Sequence, residues 1–357
     1  MSFSPLRLLI VDDSAYNRNL IEQLFRGRDD VVVVGTAADG EEAIRLASQL
    51  EPDVITLDLE MPKMDGFTCL RILLARRPVS VIVVSSYAQR ENVFKALDIG
   101  AVDFVTKATS TIDANAEDLK AQIREKVLMV RSMRRESIVP PPRSSKMSIP
   151  EDIRSSRTLP SADPEEPFTE PRSVVAIASS TGGPGALMQI VTKLPKASPH
   201  AFLIAQHMPE KFTRTFAERL DKRGTVRTRE AWHDAHASAG RAFVCPGGHC
   251  MSLSRVQNEL RLRVVRPDAT DRYVPSGDRL FESVAMTMGA RTVAVVLTGM
   301  GDDALLGSRT VRELGGRVIA EAESSAAVFG MPGAVIQAGL ATEVLSLAEI
   351  ASALAAL

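Results

Sequence analysis

Twice along this 357-residue chain, short runs of β-branched and aliphatic residues alternate with stretches whose apolar positions recur at helical spacing. That alternation leaves few folds open, because strands joined one after another by helices build a parallel sheet covered by helices. In the first series, strands are expected at 8–11, 31–36, 54–57, 79–85 and 102–106, and a closing helix carries Leu119, Ile123, Val127 and Val130 on one face. The second series has strands at 174–178, 201–205, 242–244, 292–297, 317–320 and 342–344, and helices over 185–194, 211–220, 278–288 and 303–314. Within it, the stretch 242–264, where Pro246, Gly247 and Gly248 separate apolar runs, predicts an antiparallel hairpin attached to the sheet.

Between the two series, residues 131–172 lose all periodicity, and prolines from Pro140 to Pro171 stand among Ser, Arg and Glu. The expected organisation is therefore a first α/β domain over 1–130, a linker over 131–172 and a second α/β domain over 173–357, each doubly wound. As a flexible coil the linker would reach about 35 Å, too loose a tether to hold two domains in one arrangement. Its basic start, with Arg131, Arg134, Arg135, Arg143 and Lys146, reads as a solvated charge run. A net charge of -1 gives no electrostatic reason to expect nucleic acid or a membrane surface as partner. Three cysteines, Cys69, Cys245 and Cys250, point to a reducing, cytoplasmic compartment. No apolar run approaches the ~20 residues of a membrane span, so neither a signal peptide nor a membrane helix is expected. Cys245, His249 and Cys250 lie close together, but no second ligand pair at zinc spacing follows, and a turn accounts for them.

Acids cluster at the strand ends of the first series. Asp12 and Asp13 follow the first strand and Asp58 ends the third, so a parallel sheet gathers all three at its carboxyl edge. Hard oxygen ligands with room for a phosphate suit Mg²⁺, while Ser85 and Lys107, ending the fourth and fifth strands, could hold phosphoryl oxygens. Taken singly, each of these residues could be a helix cap, a turn residue or a surface cation; five suitable residues gathered on four strand ends are harder to assign that way. VDDS at 11–14, LDLEMPKMDG at 57–66, Ser85 and Lys107 together resemble the receiver domains of response regulators. The resemblance implies a flavodoxin-like domain of five parallel strands, with Asp58 as phosphoacceptor, Asp13 as a direct Mg²⁺ ligand beside Asp12, the Glu60 backbone carbonyl as a further ligand and Phe104 at the aromatic switch position. Receivers usually place proline after the lysine, whereas this chain has Ala108, for which a cis bond would cost ~3 kcal/mol.

In the second series Ser180 follows a strand and precedes Thr181-Gly182-Gly183-Pro184-Gly185, a tight turn opening a helix whose exposed amides could stabilise an oxyanion. His207 stands past the next strand, in Gln206-His207-Met208-Pro209, and Asp303 past the strand at 292–297. A hydroxyl, an imidazole and a carboxylate on one sheet edge are the requirements for nucleophilic acyl transfer. A structural histidine is the plain alternative for His207. A second alternative is dinucleotide binding, because Gly299-Met300-Gly301-Asp302-Asp303-Ala304 fits G-x-G-x-x-A with Glu321 at the next strand end. Against it, Asp302 and Asp303 would put two carboxylates where a pyrophosphate should sit. A nucleic-acid-binding output is a third reading, but no basic recognition helix is visible.

Ser180-Thr181-Gly182-Gly183, Gln206-His207-Met208-Pro209, the segment from Leu297 to Asp303 and Phe329-Gly330-Met331-Pro332 resemble the chemotaxis protein-glutamate methylesterases of the CheB type. The resemblance covers both domains and implies a Rossmann-like second domain in which Ser180 is the nucleophile, His207 the base and Asp303 its orienting partner, with Thr181 and Met300 flanking the oxyanion region. It implies hydrolysis of glutamate methyl esters on chemoreceptors with no cofactor for that reaction, deamidation of selected glutamines, and activation by a histidine kinase acting through Asp58. A monomer with no nucleic-acid partner and no membrane insertion is expected. Asp302 stands where Asn is common and Ala304 where Gly is common.

Overall fold

The computed structural model describes residues 4–86, 90–107, 113–133 and 168–357. Ala108 and residues 134–167 of the expected linker lie outside them.

The first sheet is made by β1 (Leu6–Val11), β2 (Val31–Ala37), β3 (Val54–Leu57), β4 (Ser80–Ser86) and β5 (Asp103–Lys107). It has five strands, all parallel, in the order β2-β1-β3-β4-β5. Helices α1 (Ala15–Phe25), α2 (Gly40–Leu50), α3 (Gly66–Arg76), α4 (Arg90–Ile99) and α5 (Asp113–Met129) return the chain between strands. The first three start where side chains at the N-cap replace missing backbone partners: Ser14, Asp39 and Asp65 accept from the N–H groups of Asn17, Glu42 and Thr68. Strand order reverses between β1 and β3, so the crevice of this sheet opens where Asp12, Asp13 and Asp58 emerge.

The second sheet runs β6 (Val174–Ser179), β7 (Ala201–Gln206), β8 (Arg227–Glu230), β9 (Arg241–Val244), β12 (Thr292–Val296), β13 (Arg317–Glu321) and β14 (Glu343–Leu345) in chain order. Its spatial order is β14-β13-β12-β6-β7-β9-β8, again parallel throughout. Every residue of β6 and β7 is buried, as expected of central strands with helices on both faces. Val175 and Ile177 face α6 (Gly183–Val191), α7 (Phe212–Arg223) and α11 (Leu347–Ala355). Val174, Ala176 and Ala178 face α8 (Gly277–Met288), α9 (Leu305–Glu313) and α10 (Met331–Gln337). The chain winds outward from β6 on one side and from β12 on the other. The switch point between these two strands places the loops after them at one crevice.

The hairpin differs from expectation. The strand at 242–244 belongs to the parallel sheet as β9, and the antiparallel pair is β10 (Cys250–Val256) with β11 (Glu259–Val265), forming its own two-stranded sheet. Its turn is Gln257-Asn258, both at positive φ (47° and 72°), as a tight hairpin turn with right-handed strand twist requires. Pro246, Gly247 and Gly248 only connect β9 to β10, since proline and glycine mark any turn and not a particular one. β8, α10 and α11 were not expected either; β8 is short and carries Arg227, Arg229 and Glu230, the composition of an edge strand.

Candidate active site and receiver pocket

At the crevice of the first sheet, one carboxylate oxygen each from Asp12, Asp13 and Asp58 lie within 4.8 Å of one another. Lys107, the last residue of β5, places Nζ 2.6 Å from Asp58 Oδ2 and 2.9 Å from Asp12 Oδ2. Asp12 also accepts from Ser14 N–H (2.9 Å) and Asn17 Nδ2 (3.1 Å), which hold it while Asp13 stays exposed. Burial pushes the Asp58 carboxyl up, the neighbouring Asp12 adds to this, and Lys107 only partly opposes it. Three carboxylates against one ammonium leave excess negative charge on hard oxygens, a donor set that suits Mg²⁺. Ser85 and Phe104 are buried on β4 and β5, and Glu60 N–H donates to Asp58 Oδ1 at 3.3 Å.

At the crevice of the second sheet, Ser180 follows β6 and is half-buried, its N–H bonded to Thr298 O at 3.0 Å. His207, directly after β7, places Nε2 2.7 Å from Asp303 Oδ2. Asp303 is fully buried; its Oδ2 also accepts from Gly277 N–H (2.7 Å) and its Oδ1 from Asp278 N–H (3.0 Å), at the start of α8. Burial works to raise the Asp303 carboxyl, but the His207 hydrogen bond and charge and these two amides outweigh it and hold it below the usual range. An ionised carboxylate only accepts, so Nε2–H is the donor, and in the neutral imidazole this leaves the lone pair on Nδ1. Among the described hydrogen bonds, none joins Ser180 Oγ to His207, and none uses the N–H of Thr181 or Met300.

Two residues outside the expected set build the loops. Gln206 takes a hydrogen bond from Ser179 Oγ (2.7 Å) and donates Nε2–H to the carbonyls of Ser180 (2.9 Å) and His207 (3.0 Å), locking β7 to the end of β6. It was visible only as a neighbour of His207, since an amide's partners are not legible before strands β6 and β7 are paired. Glu321, the acid of the dinucleotide alternative, is fully buried and accepts from Thr298 N–H (2.8 Å) and Ser325 Oγ (2.9 Å). It supports the loop after β12 from beneath and does not face the crevice as a ribose ligand would. Gly299 lies so close to Ser180 that a Cβ there would come within 2.8 Å of Ser180 Cβ. Ala304 adopts φ 72°, the left-handed region that costs a non-glycine residue about 1 kcal/mol, and donates N–H to Asp303 Oδ1 at 2.9 Å. Burial pushes the Cys250 thiol up to about 11, and Cys245 higher, so both are held as neutral thiols in the core.

The second crevice meets the first sheet at the end of β5 opposite its acidic pocket. Thr181, next to Ser180, donates Oγ1–H to Asp103 Oδ2 at the start of β5, and Lys126 of α5 holds the same oxygen at 2.7 Å. Beside it the Phe104 ring packs on Phe212 (centroids 4.8 Å), and Phe94 of α4 stacks on Phe216 of α7 at 5.7 Å. Asp98 accepts from Arg219 (2.6 Å) and Arg223 (3.0 Å), and Arg90 donates to Lys211 O (2.8 Å).

Residues 175–354 match the family model of the CheB methylesterase. The chain belongs to that family. Residues 8–121 match the response regulator receiver domain, and receivers in general are phosphorylated with Mg²⁺, the ion the acidic pocket suits. Among CheB relatives, the chain is 43% identical over 350 residues to protein-glutamate methylesterase/protein-glutamine glutaminase 3 of Geobacter sulfurreducens, covering 96% of this chain and 94% of the relative. It is 40% identical over 352 residues to protein-glutamate methylesterase/protein-glutamine glutaminase 1 of Myxococcus xanthus, with 99% and 97% covered. The CheB methylesterase catalytic domain of Thermotoga maritima superposes with a TM-score of 0.50 at 35% identity, over 52% of this chain and 97% of that one.

Proposed function

We propose that this CheB family member removes methyl groups from glutamate γ-methyl esters on chemoreceptor cytoplasmic helices, and deamidates selected glutamines, with Ser180, His207 and Asp303 as the triad. The observation that carries the reading is the 2.7 Å contact between His207 Nε2 and buried Asp303 beside Ser180, at the switch point of the sheet. Ser180 Oγ attacks the ester carbonyl while its proton passes to His207 Nδ1, and Asp303 holds the resulting imidazolium. The oxyanion takes the uncommitted N–H groups of Thr181 and Met300. On collapse the C–O bond breaks, methoxide takes the proton back from the imidazolium and leaves as methanol, and a glutamyl ester remains on Ser180. Water, deprotonated by His207, then cleaves that ester and frees the glutamate carboxylate. With glutamine the leaving group is ammonia. These steps use only side chains and backbone of the chain, so the hydrolase part of the reading calls on no cofactor.

Control is assigned to Asp58, phosphorylated by a histidine kinase. In the pocket, Asp12, Asp13, Asp58 and the Glu60 carbonyl would hold Mg²⁺, which supplies charge compensation for the phosphoryl group. Lys107 and Ser85 then bind phosphoryl oxygens, drawing on β5, whose opposite end carries Asp103 and Phe104 against Thr181 and Phe212. In the unphosphorylated state the receiver covers the hydrolase crevice, and phosphorylation shifts the population away from that docked form. The domains in this reading are 1–130 and 173–357 with 131–172 as linker. The chain acts in this reading as a cytoplasmic monomer without nucleic acid; separately, no helix among the described residues is long and apolar enough to cross a membrane. The test is methanol release from methylated receptor: Ser180→Ala should abolish it, and full activity in that variant would overturn the assignment.

A further inference from the structure

The loop ahead of α8 brings to the imidazole a residue that no motif singled out. Tyr273 is half-buried, and its ring stacks on that of His207, with centroids 5.3 Å apart and planes 10° from parallel. Its hydroxyl donates to Asp302 Oδ1 at 2.7 Å. Arg272 completes the group, with Nη1 3.1 Å from Asp302 Oδ2 and the guanidinium 5.2 Å from the centre of the Tyr273 ring. Gly301, at φ 85°, makes the space, because a Cβ there would stand 2.5 Å from the phenol oxygen. Two loops, 271–273 and 301–303, thus enclose the imidazole, Asp303 at its Nε2 edge and Tyr273 on its face.

We propose that Tyr273 is a positioning residue for the hydrolysis, holding the His207 ring in the orientation from which Nδ1 takes the serine proton. The proposal rests on the reading of His207 as the base. The hydrogen bond to Asp303 fixes one ring atom, but the torsion about Cβ–Cγ is broad for an sp³–sp² bond, so the ring can still rock about that contact. A parallel ring in contact restricts the rocking, because tilting the imidazole drives its edge into Tyr273. The same π-face attracts an imidazolium more than a neutral imidazole, so the contact strengthens as the proton arrives. An interaction that grows towards the transition state appears in kcat and not in KM. Asp302 acts one step further out. Its carboxylate anchors the phenol, while Arg272 and the phenol hydroxyl together offset its charge, so the acid beside the base serves to orient the stacked ring.

The experiment uses the full-length protein with a saturating small-molecule phosphodonor and methylated receptor as substrate. Tyr273→Leu removes the ring and should lower kcat by about 3- to 30-fold with KM within about twofold of the parent. Tyr273→Phe keeps the face and should stay within about threefold of the parent. A Leu variant with unchanged kcat, or a loss carried entirely by KM, overturns the proposal. Ser180→Ala and His207→Gln are measured alongside. If they keep full activity the triad reading itself is wrong, whereas if they are inactive and Tyr273→Leu is not impaired only the present proposal falls. A second measurement needs no folded Leu variant. In the parent, the carbon-bound ring protons of His207, assigned by their loss in His207→Gln, should resonate upfield of an unstacked histidine through the ring current of Tyr273 and stay there in Tyr273→Phe. Unshifted resonances in the parent overturn the proposal.

Discussion

At the scale of single residues, the catalytic crevice depends on a few side chains whose polar atoms are all used. Gln206 is 1% exposed and makes three hydrogen bonds, two of which join the strand before Ser180 to the strand before His207. Gln206→Met keeps the volume but strands Ser179 Oγ and the His207 carbonyl without partners and leaves the Ser180 carbonyl only the Gly183 N–H. It should cost about 2–4 kcal/mol of stability, read as a lower denaturant midpoint at unchanged slope. A loss below about 0.5 kcal/mol would show that water replaces those bonds. That Ser180, His207 and Asp303 emerge on one sheet edge was legible beforehand because each follows a strand expected from the sequence. Gln206, Glu321 and Tyr273 were not, because an amide, a buried acid or a stacked phenol has meaning only through partners distant in sequence.

Among the elements, β5 has the most consequences. Five residues carry Lys107 at the phosphoryl pocket, Phe104 against Phe212 of α7, and Asp103 on the hydroxyl of Thr181. Asp103→Ala removes the polar half of that contact and leaves the aromatic half. Receptor demethylation without phosphodonor should rise, by about fivefold or more if the contact carries a typical coupling energy. An unchanged basal rate would show that the hydrogen bond does not restrain the turn that carries Ser180. The hairpin teaches a different lesson at the same scale. Its position was misjudged because Pro246-Gly247-Gly248 carries stronger turn residues than Gln257-Asn258, yet the paired strands flank the latter.

Over the whole molecule, the buried cluster that fills one face of the first sheet continues through Phe94 and Phe104 into Phe212 and Phe216 beneath the second. Its polar rim is Asp98 with Arg219 and Arg223. Asp58 sits at the far side of this junction with its carboxyl raised by burial. A carboxyl raised in the folded state favours the protonated form there, so keeping it ionised at neutral pH costs folding stability. Asp58→Asn should therefore melt no lower than the parent at pH 7. The advantage should vanish as pH falls below the ordinary carboxylate range, where both side chains are neutral. The same variant should take up no phosphoryl group and keep only basal demethylation. A lower melting temperature at pH 7 would mean that the Lys107 pair stabilises the fold more than burial of the charge opposes it.

The chain's own order of residues determined two parallel α/β sheets and the strand ends on which the acids, the serine, the histidine and Asp303 emerge. Strand periodicity and the carboxyl-edge rule are local properties, and they place a side chain on an edge without knowledge of its neighbours. Strand order was another matter. Only the folded sheet sets β12 beside β6, bringing the Asp303 loop to Ser180 across more than a hundred residues. Only packing between the two sheets brings Asp103 to Thr181 and Phe104 to Phe212, and only the meeting of two loops lays Tyr273 on His207. These contacts join segments far apart in the chain, and their energy comes from burial and hydrogen bonds that exist once the surfaces have met.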